Sequence, residues 1–192
     1  MSIIIGTTAT RIGSNSVYLA ETFCEILQTN DLKFEVIDFN KLNILPYQYQ
    51  DQIPLQSPQY PKDDFIKTIN KILDAKFLVW FSPVHWCGLA RGFRDFQDRY
   101  SEARRRPELE FSKKMAGKTV SYVMVSAASP ANYAESFWHI QETIHSFSFT
   151  QTNFIRGPWF VAREANELRE TQANKVKEEM QLFAKKLCLL QP

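Results

Sequence analysis

Glycine is scarce in this chain, with six in 192 residues, about 3% where roughly 7% is usual. Neither G-x-G-x-x-G nor G-x-x-x-x-G-K-[ST] occurs, which excludes the glycine-built cradles for dinucleotides and nucleoside triphosphates. Cysteine is as sparse. Cys24, Cys87 and Cys188 form no C-x-x-C pair and no zinc spacing, so they read as reduced thiols of a cytoplasmic protein rather than a disulfide frame. The three histidines, His85, His139 and His145, fall in no H-E-x-x-H or comparable metal arrangement. Charge of one sign is also lacking. Twenty-three Lys+Arg against 21 Asp+Glu leave a formal net charge of +2, which predicts no strong attraction to nucleic acid or acidic membranes. No run approaches the ~20 apolar residues needed to span a bilayer. The start, Met-Ser-Ile-Ile-Ile, lacks the basic segment of a secretion signal. No internal repeat or low-complexity tract is visible.

What is present is an ordinary globular balance, 44% hydrophobic and 23% charged, at a length that predicts one domain over 1–192. Residues 3–5, Ile-Ile-Ile, read as a short buried strand running into Gly6-Thr7-Thr8. Leu19, Ala20, Phe23, Cys24 and Leu27 recur at steps of three and four, one face of a helix that Ser14 or Asn15 can cap. Residues 33–39 begin with polar–apolar alternation, as an edge strand with one wet face does. Residues 63–74 read as a helix with Asp63 and Asp64 at its positive end. Residues 77–81, Phe-Leu-Val-Trp-Phe, are continuously apolar, the mark of a strand buried on both faces. Further along, the pattern predicts a helix from Leu89 to Arg104, a strand over Thr119–Val125 and a helix over Tyr133–Phe147. It closes with a strand over Thr150–Ile155 and a helix over Glu164–Leu189. Residues 40–62 carry no periodic pattern, and connections this long are usually functional or disordered.

Alternating strands and helices imply an α/β protein with a parallel sheet covered on both faces. Right-handed crossovers make it a doubly wound five-stranded sheet in the order 2-1-3-4-5. The half-wet second strand then lies at an edge and the apolar third inside. Ligands of such sheets bind at the carboxyl ends of the strands, near the switch point between strands 1 and 3. That directs attention to the residues after Thr8, Ser82 and Ser126. The first of these loops, Thr7-Thr8-Ala9-Thr10-Arg11-Ile12-Gly13-Ser14-Asn15-Ser16, brings hydroxyls, a guanidinium and backbone N–H groups to a helix N-terminus. A dianionic phosphate needs those donors. An ordinary capped turn with an exposed arginine is the plainer alternative. A receiver domain that phosphorylates an aspartate is argued against, because Thr-Thr and Ser-Pro stand where its acidic residues would be.

These segments resemble the NAD(P)H-dependent FMN reductases, a family with a flavodoxin-like fold. Against that family's first-loop pattern G-S-x-R-x-x-S-x-N, Arg11 and Ser14 match, while Thr8, Ala9 and Ser16 replace Gly, Ser and Asn. Ser82-Pro83-Val84-His85-Trp86-Cys87-Gly88 is similar to its P-x-Y-W-G-S segment, with His85 for Tyr and Cys87 for Gly. Gly92 to Arg99 is similar to its L-K-x-x-x-D-R helix, with Asp98 and Arg99 retained. Asp38-Phe39 with Leu45-Pro46, Leu73-Asp74-Ala75 and Gly117-Lys118 add smaller matches, and the resemblance spans about residues 3–160. Ser126-Ala127-Ala128 stands where many members carry a glycine pair.

The resemblance implies an oxidoreductase that binds FMN and passes electrons from NADPH or NADH to a quinone, azo, flavin or similar small-molecule acceptor. It implies a homodimer or homotetramer. It places the phosphate on Thr8, Thr10, Arg11, Ser14, Asn15 and Ser16, and the ring beside Pro83, Val84, His85, Trp86, Cys87, Ser126 and Ala127. Backbone N–H groups after Pro83 are expected to reach the ring. No catalytic side chain is nominated, because the cofactor carries the electron chemistry.

Several residues keep a plainer reading. His85 can be a cap, Trp86 an interface residue and Cys87 a small filler of a glycine position. His139 and His145 read as structural. Arg104-Arg105-Arg106 reads as a helix-end charge cluster or as a clamp for the 2′-phosphate of NADPH, and residues 47–61 as a lid or a dimer arm. Two rival functions share the fold: an electron-carrier flavodoxin, usually strongly acidic, and a member that has lost flavin and serves as a binding or regulatory module.

Overall fold

The structure, a computed structural model, describes residues 2–8, 11–86, 88–129, 131, 133–148, 152–187 and 189, apart from the side chains of residues 144 and 146–148. Thr10 and Cys87 lie outside the described residues. Five strands, β1 (Ile3–Thr7), β2 (Phe34–Asp38), β3 (Phe77–Pro83), β4 (Thr119–Ser126) and β5 (Asn153–Val161), form one sheet in the order β2-β1-β3-β4-β5. Every pairing is parallel, as the alternating pattern predicts. β3 is buried from Phe77 through Ser82, while two residues of edge strand β2 are exposed.

Side chains alternate across the sheet. Ile3, Ile5, Val79, Phe81, Val123 and Val125 face the layer made by α1 (Asn15–Thr29), α7 (Glu167–Thr171) and α8 (Ala173–Lys186). There Phe23 packs between Phe81 and Phe183. Ile4, Leu78, Trp80, Tyr122 and Met124 face the other layer, which holds α2 (Phe65–Asp74), α3 (Arg91–Asp98), α4 (Tyr100–Arg105), α5 (Phe111–Met115) and α6 (Ala134–Ser148). Its centre is aromatic: Phe39, Phe93 and Phe96 meet Trp80 and Phe65 with ring centroids 4.8–5.7 Å apart. Each such fully buried ring contributes about 1.5–3 kcal/mol of transfer free energy.

Three elements differ from expectation. The helix expected from Leu89 to Arg104 is two, α3 and α4, jointed at Arg99. The Arg99 side chain turns inward to buried carboxylates at that joint. The helix expected from Glu164 to Leu189 is also two, α7 and α8, divided at Gln172. Strand β5 does not end at Ile155 but continues to Val161. Gly157-Pro158 forms a bulge there: Tyr122 pairs with Arg156 and Met124 with Trp159, so two residues of β5 oppose one of β4. Glycine is required at the bulge, since a Cβ at 157 would stand 2.2 Å from the Tyr122 carbonyl oxygen.

The long connection 40–62 is pinned to the body of the protein. Arg99 donates to the Leu45 carbonyl at 2.9 Å, and Arg106 to those of Gln50 and Ile53 at 2.6 and 3.0 Å. Arg106 is buried on Glu102, and Arg105 meets Tyr47 and Asp51. Arg105 thus meets this loop, and Arg106 pairs with Glu102 and Glu108 while donating to the loop's carbonyls, which supports the structural reading of Arg105 and Arg106 over a clamp for a nucleotide phosphate. Among the described residues no helix is long and apolar enough to cross a membrane.

Candidate functional site

The carboxyl ends of β1, β3 and β4 open on a cavity of about 320 Å³ lined by Arg11, Ser14, Asn15, Ser16, Pro83, Val84, His85, Val125, Ser126, Ala127, Ala162 and Arg163. It lies at the switch point between β1 and β3. Larger hollows sit between α1 and α8 and at the amino ends of β1 and β2, away from these loops. Of the thirteen site residues expected from sequence, nine line this cavity.

The first loop reaches it through the start of α1. Ser14 stands at the N-cap in extended conformation but makes no side-chain cap bond; its hydroxyl pairs with that of Ser16 at 3.0 Å. The first-turn N–H groups of α1 thus receive no side-chain cap from Ser14. Arg11 is exposed on the lining. Gly13 turns the chain with φ +69, and its carbonyl accepts from the Asn166 N–H at 2.8 Å.

Asn15 has a different part from the one expected. Its buried amide donates to the Glu164 carbonyl at 2.8 Å and accepts from the Leu168 N–H at 3.0 Å. Both ends of the side chain are used to sew α1 to the connection after β5, so only its backbone is available to a ligand. Thr8 also leaves the expected set. It is buried, donates to the Ser82 hydroxyl at 2.9 Å and does not line the cavity. Ser82 in turn accepts from the Ala90 N–H at 3.2 Å. This chain of bonds ties the ends of β1 and β3 to the start of α3.

The second loop presents Pro83, Val84 and His85. The Val84 N–H donates to the Val125 carbonyl at 2.7 Å, and His85 and Gly88 exchange two backbone bonds of 2.9 Å. Those two N–H groups, expected to reach a ring, are already taken by the protein. Trp86 tops the turn at φ +51 and is fully exposed, outside the cavity lining. A bulky residue held there costs about 1–3 kcal/mol, a strain that clusters at functional sites.

The third loop is braced. The Trp159 indole N–H donates to the Ser126 hydroxyl at 2.7 Å, and the Tyr133 hydroxyl to the Ala128 carbonyl at 3.0 Å. The Arg163 Nε donates to the Ala127 carbonyl at 3.0 Å. Arg163 was missed in the sequence because the run to Ile155 followed by Gly-Pro reads as a strand end. The continued strand carries the chain onto this wall.

The described lining therefore holds two guanidiniums, three serine hydroxyls and a helix N-terminus, and no carboxylate. That donor set suits a phosphate monoester. Among the described residues no cluster of three or more His, Cys, Asp or Glu could hold a metal ion. His145 lies far from this chemistry, buried in the core with Nε2 3.2 Å from the Tyr122 hydroxyl. Burial pushes the Cys24 thiol up to about 11, with Glu21 and Glu25 adding to it, so it stays protonated and inert at neutral pH.

A family profile described as NADPH-dependent FMN reductase matches residues 1–167. The Bacillus subtilis (strain 168) protein named "Putative NAD(P)H-dependent FMN-containing oxidoreductase YwqN" is 26% identical over 178 residues, covering 90% of this chain and 92% of its own. Among solved structures, a Trp repressor binding protein from Bacillus subtilis superposes with a TM-score of 0.63 at 23% identity, over 93% of this chain and 99% of its own. An FMN-dependent NADH-azoreductase from Bacillus anthracis, solved with FMN, gives 0.63 at 12% identity, over 95% and 99%. At these identities the structural matches speak for the fold.

Proposed function

The chain belongs to the NADPH-dependent FMN reductase family, and from that premise we propose that it holds FMN in the cavity above β1, β3 and β4 and passes electrons from NADPH or NADH to a quinone, azo, flavin or similar acceptor. The observation that carries this reading is the donor set: Arg11, Ser14, Ser16 and the uncapped start of α1 converge on one cavity with no carboxylate among its described lining residues. The residues present fit the cofactor. Its phosphate would be held by the hydroxyls of Ser14 and Ser16, the Arg11 guanidinium and the α1 N–H groups, and its ring would be held by Pro83, Val84 and His85 with Ser126 and Ala127.

When bound, FMN supplies the relay, accepting a hydride from the nicotinamide and releasing electrons to the acceptor. The chain's own residues bind and orient. Arg11 neutralises phosphate charge, and the positive end of α1 adds to it. Pro83 and Val84 give one side of the ring slot an apolar surface that excludes water. The Ser82–Thr8 bond ties the end of β3 to that of β1, and the Ser126–Trp159 bond ties the end of β4 to β5, so each wall of the slot is fixed to a neighbouring strand. We take the assembly to be a homodimer or homotetramer. Ile12 and Trp86, chain neighbours of the cavity residues Arg11 and His85, are both fully exposed and give such an assembly apolar surface to cover.

Purified protein should be yellow and release FMN on denaturation. A colourless preparation that also fails to quench the fluorescence of added FMN would overturn the reading and favour a flavin-free binding module. Arg11→Ala should weaken FMN at least tenfold, about 1.4 kcal/mol, in a fluorescence titration. Oxidation of NADPH or NADH followed at 340 nm with a quinone acceptor then separates an enzyme from a carrier.

A further inference from the structure

We propose that Arg163, on the connection from β5 to α7, is a second cationic anchor for the FMN phosphate. This rests on the flavin reading of the cavity and extends it to a residue outside the first-loop pattern. Three observations carry it.

The first is position. Arg163 lines the same cavity as Arg11, Ser14 and Ser16. It gets there because β5 runs on through the Gly157-Pro158 bulge, and the Ala162 N–H fastens the strand's end to the Ser126 carbonyl at 2.9 Å.

The second is bracing. The Glu167 carboxylate accepts from the N–H groups of Arg163 and Glu164 at 2.7 and 2.9 Å. Asn166 bonds Gly13, and Asn15 bonds both Glu164 and Leu168. Segment 163–168 is therefore sewn directly to residues 13–15, where α1 begins. A guanidinium on a braced loop is set in place before a ligand arrives, which lowers the ordering cost of binding.

The third is spare capacity. Nε of Arg163 is used on the Ala127 carbonyl. Its two terminal nitrogens make no hydrogen bond or ion pair among the described residues; Glu167, whose Oε2 accepts the backbone N–H groups of Arg163 and Glu164, acts on the guanidinium only through its field. A phosphate monoester carries about −1.5 to −2 charges, more than Arg11 alone neutralises. A guanidinium pairs with phosphate oxygens in two parallel bonds, whereas a neutral ring carbonyl offers it a single weaker one. The ligand that gains most from Arg163 is thus the phosphorylated flavin.

The test compares FMN and riboflavin, by fluorescence quenching, on the full chain carrying Arg163→Ala or Arg163→Lys. Arg163→Ala should weaken FMN at least tenfold and riboflavin less than twofold, with part of the FMN affinity recovered in Arg163→Lys. The salt dependence of FMN binding should be shallower in Arg163→Ala, and it decides the matter where riboflavin binds too weakly to titrate. Unchanged FMN affinity overturns the assignment, and so does an equal loss for both flavins, which would place Arg163 on the ring. Unaltered wild-type quenching beside an indifferent Arg163→Ala refutes only Arg163. Wild-type protein that binds no FMN refutes the flavin reading itself.

Discussion

Replacing Arg99 with Met should cost about 3–5 kcal/mol of stability, the range for breaking a buried ion cluster by removing one partner. In thermal unfolding that corresponds to a fall of roughly 6–20 °C for a chain of this size. Arg99 has no exposed surface, and neither do the side chains of its partners Asp63 and Glu102. Its Nε meets Glu102 at 2.5 Å, and one terminal nitrogen meets Asp63 at 2.6 Å. The other reaches the Tyr60 hydroxyl at 3.2 Å, and the guanidinium lies 4.4 Å over the Phe65 ring. Burial works against the charge, but the bonds to Asp63 and Glu102 outweigh it and hold the guanidinium above its ordinary pKa. With Arg106 on Glu102 the buried part of the cluster is balanced, two cations against two carboxylates, and the exposed Glu108 adds a third carboxylate to Arg106. Without Arg99, Asp63 is left buried with no ion pair among the described residues.

The loss should be strongly non-additive. Asp63→Asn combined with Arg99→Met should cost clearly less than the sum of the two, because the second change removes the charge the first leaves stranded. Limited proteolysis should cut residues 45–60 faster in Arg99→Met than in wild type, since the Leu45 carbonyl and the Tyr60 hydroxyl lose their donor. A single-variant cost under about 1 kcal/mol, the level of an exposed pair, would mean the cluster does not bear on stability.

Arg99 also shows where sequence reasoning stops. Its match to a family pattern on a helix says nothing of where the side chain goes, and it points into the chain's own core. Helical periodicity registers apolar residues, and it gives no sign that an arginine will be buried on a carboxylate 36 residues earlier. The sheet order was legible, because it follows from alternation, handedness and one wet strand. The positions of Arg11, Ser14, Ser16, Pro83 and His85 on one cavity follow from the sheet order.

What was not legible depends on contacts distant in sequence. Thr8 reads as a donor to phosphate until Ser82 takes it, and Asn15 does so until Glu164 and Leu168 take both ends of its amide. Gly157-Pro158 reads as a stop because the pairing that absorbs it as a bulge lies on β4, more than 30 residues away. Missing that bulge conceals Arg163 as well. The low glycine count takes on a definite meaning here. It excludes the glycine-rich phosphate loops and leaves open a cradle of hydroxyls, guanidiniums and a helix end.

A second large effect should appear on acidification, and His145 is its source. The imidazole is buried against Tyr122 of β4 and Phe154 of β5, with ring centroids 5.8 and 5.1 Å away. Burial pushes its pKa from 6.5 down to about 3. The unfolded chain therefore takes up a proton near pH 6.5 that the folded chain refuses until about pH 3. The unfolded state binds more protons in that window, so stability falls as pH drops. The contribution is complete above pH 6.5 and is lost at up to about 1.4 kcal/mol per pH unit below it.

Between pH 6.5 and 4.5 the loss from this one group approaches roughly 2.5 kcal/mol. Carboxylates titrate lower in the same range, so the test is a difference. Urea unfolding of wild type and His145→Phe at pH 7.5, 6.5, 5.5 and 4.5 separates them. The phenylalanine variant loses the Tyr122 bond and should start less stable at pH 7.5. Its stability should then decline more gently with acid, the two curves converging by about 1 kcal/mol or more per pH unit below 6. Parallel curves would show that His145 takes its proton equally well folded and unfolded, and that its burial does not set the acid limit of this fold.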